Sequence, residues 1–379
     1  MKFIFRNTIK IHTFLVFCFL LFIYSSLPSQ TTNHLFSREV SFHNGETELA
    51  GILTFPPTEK PCPAVILISG SGQQNRDGET KAIPGYRPFA VIAEELGRKG
   101  LAVLRYDDRG VGKSTGDYLK SEESDFIQDA EAALEFLLQQ DKIDKEKVGL
   151  LGHSEGALIA ANVAAKNPKA AFVISLGGAA VDGYHLLLRQ AEREAEAEGK
   201  TEKEVSETVE EQRQIFDLVL EKNWEKLNDI IYKIILKRLE ALPDETKKSI
   251  TDPDKFAKRR TAQSMKAFQL PRYQYLIRHD FGKDWENVSV PVLALFGDLD
   301  VQCDASQNME GFKQAFTRSG NEDLKIVVFP EANHLFLKAR TGSILEYATL
   351  PKTFAPGVLE AISSWLLDNN IIAGLADLS

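Results

Sequence analysis

The chain has 379 residues, 43% hydrophobic and 26% charged, with a formal net charge of −9. These values describe a globular chain with a sizeable core and exclude disordered, collagen-like and multi-span membrane classes. The acidic balance offers no electrostatic footprint for a phosphate backbone, so nucleic acid is not an expected partner, and three cysteines are too few for a disulfide scaffold.

In chain order, Lys2, Arg6 and Lys10 precede an apolar run, Ile11–Tyr24, which is followed by the small, turn-prone stretch Ser25–Gln30. Basic, apolar and small-residue regions in that order predict a secretory signal peptide over 1–30, cut between Ser25 and Gln30, and an exported protein, periplasmic or secreted. The apolar run is short for a bilayer span of ~20 residues; an uncleaved anchor is the alternative. A lipoprotein signal at Cys18 fails because bulky Phe17 precedes it.

Ser37–His43 and Glu48–Phe55 then read as a hairpin turned at Asn44-Gly45. The continuous apolar runs Ala64–Ser69, Leu101–Tyr106, Val148–Leu151 and Ala171–Leu176 read as strands of a parallel sheet buried on both faces. Helical patterns lie between them at Phe89–Lys99, Asp125–Gln140 and Glu155–Lys166. This alternation predicts an α/β class with a mostly parallel central sheet and helices on both faces.

Over 182–286 glycine thins and charge rises; Ile215, Phe216, Val219 and Leu220, then Leu227, Ile230, Ile231, Ile234 and Ile235, recur at helical spacing. A helical insertion over 182–286 is expected, with Arg189–Lys200 as a solvated helix face, splitting a core of 37–181 and 287–379 after its sixth main strand. Val292–Gly297 and Leu324–Phe329 resume the buried-strand texture, and Phe354–Asn369 closes the chain as a helix. Cys62 precedes one strand and Cys303 follows another, so in a parallel sheet they lie at opposite edges, roughly 15–20 Å apart. A disulfide needs Cα atoms within about 7 Å.

Chemistry is expected where strands end. Gly152-His153-Ser154-Glu155-Gly156 follows one predicted strand and opens a predicted helix, the context of a nucleophile elbow. A second G-x-S-x-G, Gly112-Lys113-Ser114-Thr115-Gly116, follows only a polar loop and precedes no helix, so Ser114 is read as a decoy. A phosphate loop there would need glycine at the position of Asp107, whose charge repels phosphate.

A serine nucleophile needs a base. Of the seven histidines, His334 lies in the loop after the last predicted strand, whereas the side chain of His153 is expected to point elsewhere along the turn. The orienting carboxylate is Asp298 or Asp300, with Asp300 favoured because it lies further past its strand. The oxyanion donors expected are the N–H of Glu155 and an N–H of the loop Ser69–Gly72, Ser71 before Gly72. No histidine pair or His/Cys cluster has metal-ligand spacing, and no cofactor is implied.

Together, the serine elbow, Asp300 and His334 make the chain resemble the α/β-hydrolase superfamily. More narrowly, Ser69–Gly78, Tyr106–Ser114, Gly152–Gly156 and Gly297–Gln302 resemble bacterial carboxylesterases of the EstD type, beside the serine aminopeptidase-like hydrolases. The resemblance covers roughly 37–180 and 271–367, supports Asp300 through a G-x-x-D-x-Q pattern, and implies that the insertion caps the active site. Asn75 and Cys303 depart from the family pattern on loops near the pocket.

The expected activity is hydrolysis of small carboxylic esters, a small-molecule substrate class set by the cap. The same triad would suit an aminopeptidase, for which Glu192, Glu194 and Asp217 are candidate carboxylates for a free amine. A thioesterase and a catalytically silent binding protein are the remaining readings. The sequence does not indicate the oligomeric state.

Overall fold

The structure, a computed structural model, describes residues 34–81 and 83–373; the predicted signal segment lies outside the described residues. β1 (Phe36–Asn44) and β2 (Thr47–Phe55) form the hairpin. Asn44 pairs with Thr47, so the turn consists of Gly45 and Glu46, with Gly45 at φ +57°. Asn44 was expected within the turn; it closes the ladder instead and donates its side-chain amide to Asp129 Oδ1 at 2.8 Å.

β3 (Cys62–Ile68), β4 (Ala102–Tyr106), β5 (Ile143–His153), β6 (Val173–Leu176), β7 (Val292–Gly297) and β8 (Leu324–Phe329) complete an eight-stranded sheet among the described residues, in the order β1-β2-β4-β3-β5-β6-β7-β8. β1 and β2 are antiparallel to their neighbours; every other pairing is parallel. This is the α/β-hydrolase fold. The chain steps from β3 to β4 on one side, then returns to place β5 on the other. The carboxyl ends of β3 and β5 therefore flank the point where strand order reverses, the usual place for a ligand.

The apolar runs are continuous because both sheet faces are covered. Along β3, Ala64, Ile66 and Ile68 pack on the side of α2 (Glu123–Leu138), α3 (Glu155–Lys166) and α11 (Ala305–Ser319). Val65 and Leu67 pack on the side of α1 (Pro88–Arg98) and α12 (Val358–Asp368). Each buried valine, leucine or isoleucine side chain among these contributes roughly 1.5–3 kcal/mol. α12 starts later than its apolar pattern suggests: Pro356 and Gly357 (φ +88°) delay it, and Phe354 bridges to Leu337. Cys62 and Cys303 are both free and buried.

Between β6 and β7 the chain forms only helices: α4 (Gly183–Ala197), α5 (Glu202–Leu220), α6 (Trp224–Glu240), α7 (Asp244–Lys248), α8 (Pro253–Phe268), α9 (Pro271–Arg278) and α10 (Phe281–Glu286). Of these, α4, α5, α6, α8 and α9 share an apolar cluster that includes Leu188, Phe216, Val219, Leu227 and Ile231. Trp285 anchors the end of this segment, buried against Phe312 and donating its indole N–H to Ala179 O at 2.8 Å. The Arg189–Lys200 face is not wholly solvated, contrary to expectation. Arg189 and Arg193 reach buried Asp304 at 3.3 and 3.2 Å and tie α4 to the start of α11. Among the described residues no helix is long and apolar enough to cross a membrane.

Candidate active site

Ser154 is the single residue between β5 and α3, at φ 54° and ψ −121°. Such a conformation costs an L-residue ~1–3 kcal/mol and persists only when its surroundings hold it. Here the Ser154 N–H donates to Leu176 O at 2.8 Å, and Ser154 O accepts from the Ala157 N–H at 2.9 Å. Both flanking glycines are steric requirements: a Cβ on Gly152 would strike the Gly156 backbone, and one on Gly156 would strike the Ile68 carbonyl.

His334 Nδ1 donates to Asp300 Oδ2 at 2.8 Å, and both residues are buried. Asp300 Oδ1 accepts the backbone N–H groups of Gln302 and Cys303, each at 2.8 Å, which fixes the carboxylate plane. Asp298 is exposed, and its N–H joins the ladder to Phe329 O at 3.0 Å. The structure thus brings His334 to Asp300, not to Asp298. Ser154 and His334 line the same cleft, together with Gly70, Ser71 and Gly72.

His153 lies where the sequence reading did not put it. Its ring is 4.9 Å from that of His334, and its Nε2 is 2.9 Å from His334 O. The reason is strand alternation: Leu151 and His153 share a face of β5, the face covered by Phe336 and α12. Burial, then the neighbouring His334, pushes the His153 pKa down to about 4. The neutral ring can donate its Nε2–H to the His334 carbonyl. An unfolded chain protonates this imidazole near pH 6.5 and the folded one near pH 4. The contribution of this neutral imidazole to stability is therefore full above about pH 6.5 and lost as pH falls toward 4. In denaturant titrations at several pH values across that window, His153→Gln should flatten the decline; an unchanged slope would contradict this assignment.

The loop after β3 is fixed from below. Buried Asp108 accepts the Ser69 hydroxyl and, at 2.9 Å, the Gln74 N–H, while Gln74 Nε2 donates to Gly70 O at 3.0 Å. Burial pushes the Asp108 carboxyl up to about 7. The Gly72 N–H, a candidate oxyanion donor, is already engaged by Tyr118 Oη at 2.7 Å. The Ser71 N–H has no acceptor among the described residues. Glu155 is the first residue of α3, where helical N–H groups lack intrahelical partners. Ser71 and Glu155 therefore remain as the free pair. Asn75, one departure from the family pattern, caps its own turn by accepting from Asp77 N and Glu79 N at 3.0 and 3.2 Å.

Ser114 is structural: its hydroxyl donates to Asp107 O at 2.7 Å and accepts the Ala50 N–H at 2.9 Å. Asp107 itself is paired with Arg76 and accepts the Lys113 N–H at 2.9 Å, so this glycine-rich loop wraps a carboxylate. No group of three or more His, Cys, Asp or Glu side chains among the described residues is placed to hold a metal.

The cleft has a volume of about 1260 Å³ and is walled chiefly by residues within 70–92, 110–112 and 334–354, Tyr86, Phe89, Phe336 and Phe354 among them. No residue of 182–286 lines it, contrary to the expectation that the insertion closes the pocket. The insertion instead meets the core behind the elbow, where Arg272 of α9 pairs with Glu155. Sequence reasoning missed that pair, as well as Asp108 and Tyr118.

The family model described as "Serine aminopeptidase, S33" matches residues 85–340. The chain is 28% identical over 321 residues to "Esterase EstD" of Thermotoga maritima, an alignment covering 84% of this chain and 65% of that protein. The chain thus spans less than two thirds of that relative's length. Among solved structures, the esterase Pf2001 of Pyrococcus furiosus is similar with a TM-score of 0.51 at 15% identity, covering 88% of this chain and 90% of its own. The α/β hydrolase GrgF from Penicillium sp. sh18 is similar with a TM-score of 0.50 at 16% identity, covering 88% and 97% respectively. At these identities the two structures speak to the fold.

Proposed function

Since the chain belongs to the serine aminopeptidase (S33) family of α/β-hydrolases, we propose that it is a serine hydrolase that cleaves carboxylic esters. The observation that carries this reading is the buried Asp300–His334 pair opening onto the cleft that strained Ser154 also lines. Ser154 Oγ attacks the ester carbonyl carbon and passes its proton to His334 Nε2, while Asp300 holds the Nδ1–H and stabilises the imidazolium. The N–H groups of Ser71 and Glu155 receive the oxyanion. Collapse breaks the C–O bond, the alcohol leaves with the proton from Nε2, and an acyl group remains on Ser154. Water, deprotonated by His334, then releases the acid and restores the serine. No cofactor enters this cycle.

The cleft lining favours a neutral ester with a bulky apolar group over the smallest esters. Among the described lining residues, Glu79 and Lys81 are the only ones that carry a full charge besides what a histidine can take. An aminopeptidase needs a carboxylate near the site for the free amine. Glu79 already accepts the Gly85 N–H at 2.7 Å. Glu192, Glu194 and Asp217 lie outside the lining, bonded to Arg189, Gln190 and Tyr184.

The test is a rate comparison on the purified protein between p-nitrophenyl esters of increasing chain length and aminoacyl-p-nitroanilides. Ester kcat/KM should rise at least about tenfold from acetate to the octanoate, which requires only about two of the added methylenes to be fully buried at ~0.8 kcal/mol each. Anilide turnover of equal efficiency would move the protein to the peptidases. Absence of both, with no fluorophosphonate labelling of Ser154, would make it a silent binding protein. Export through residues 1–30 is part of the proposal, tested by sequencing the N-terminus of the secreted protein.

A further inference from the structure

The two proposed oxyanion donors are carried by different parts of the core. Glu155 opens α3, and the Ser71 loop follows β3. One side chain of the insertion touches the support of each. Arg272, at the start of α9, donates Nε to Glu155 Oε1 at 3.1 Å and a terminal nitrogen to Glu155 Oε2. The same guanidinium lies over the Tyr118 ring, 5.0 Å from its centre, and over Phe126 at 4.3 Å. Tyr118 Oη is the acceptor of the Gly72 N–H at 2.7 Å.

We propose that Arg272 is a positioning residue through which the helical insertion holds both halves of the oxyanion site. The inference rests on the hydrolase reading above. On one side it fixes the residue whose own N–H receives the oxyanion. On the other it fixes the ring that pins the residue after Ser71.

The surroundings favour a fork-shaped cation in this role. A second buried carboxylate, Glu123, lies 3.6 Å from Arg272 Nε. Burial, then the neighbouring Glu155, holds the Glu123 pKa well above the usual carboxylate range. Gly70, Asp108, Tyr118, Glu155 and Arg272 line one cavity of about 10 Å³, too small for solvent to replace a missing charge beyond a single water. Without Arg272, the Glu155 carboxylate loses its cationic partner and is left facing only the neutral-favouring Glu123 carboxyl, and the start of α3 has cause to shift. Lysine would supply the charge but not the planar fork or the ring contact.

The experiment uses the full chain and measures kcat, KM, thermal melting and the affinity of an aryl boronic acid that adds to Ser154 as a tetrahedral mimic. Arg272→Gln should lower kcat about 30-fold with KM changed less than about threefold, since the lost interaction acts on the transition state. Boronate affinity should fall in parallel, and Arg272→Lys should restore activity only in part. Tyr118→Phe, which removes the Gly72 acceptor, should lower kcat several-fold. A folded Arg272→Gln with kcat and boronate affinity within twofold of the parent overturns the proposal. So does a fall in KM-related binding alone. Should Arg272→Gln fail to fold, parental kcat in both Arg272→Lys and Tyr118→Phe overturns it. A parent chain that neither turns over esters nor reacts with a fluorophosphonate sinks the hydrolase reading and this inference together. An active parent with unaffected variants sinks this inference alone.

Discussion

Ser154→Ala should lower ester turnover by about 10⁴-fold or more while the protein stays folded. Under the proposed mechanism the hydroxyl forms the covalent bond, so no neighbouring group replaces it. Ser154→Gly should be equally inactive yet more stable than the parent. The serine is held at φ 54°, where glycine meets no Cβ penalty. Relief of ~1–3 kcal/mol of strain is offset by the greater freedom of an unfolded glycine, ~0.5–1 kcal/mol, leaving a gain of about 1 kcal/mol. Denaturant titration of the three proteins reads this directly. Retained turnover in Ser154→Ala would end the assignment of the nucleophile, and a glycine variant less stable than the alanine variant would end the strain argument.

Asp300→Asn should lower kcat about 10³–10⁴-fold, and Asp298→Asn should stay within about threefold of the parent. The difference follows from hydrogen-bond donors. The Gln302 and Cys303 N–H groups both point at Asp300 Oδ1, so an asparagine must present its carbonyl there. Its NH₂ then faces His334 Nδ1, which must act as acceptor. The imidazole proton moves to Nε2, and His334 no longer takes the serine proton. Asp298 is exposed and has no part in this arrangement. Equal losses in the two variants would show that the carboxylates share the role.

Much of the fold was legible because it is written in short-range patterns. Val292–Gly297 and Leu324–Phe329 are continuous apolar runs, and the structure has strands over these residues. Gly152 and Gly156 bracket Ser154 because a sharp turn admits no Cβ there, and such a requirement shows in five consecutive residues. Element ends were less legible. β5 begins at Ile143 because it pairs with Cys62 across a register shift, and α12 begins at Val358 because Pro356-Gly357 intervenes.

The sequence by itself determined the α/β alternation, the elbow, and the placement of Asp300 and His334 on loops that follow strands. It carried these because backbone conformation follows from hydrophobic period and from glycine. Only the tertiary structure decided which groups meet. His334 reaches Asp300 across 34 residues, Gly72 reaches Tyr118 across 46, and Arg272 reaches Glu155 across 117. Such partners depend on strand order and on how the helices cross the sheet, which no local window contains. The cleft shows the same division: helical periodicity identified the insertion, but its place behind the elbow comes from the packing of α9 and α10 against the core.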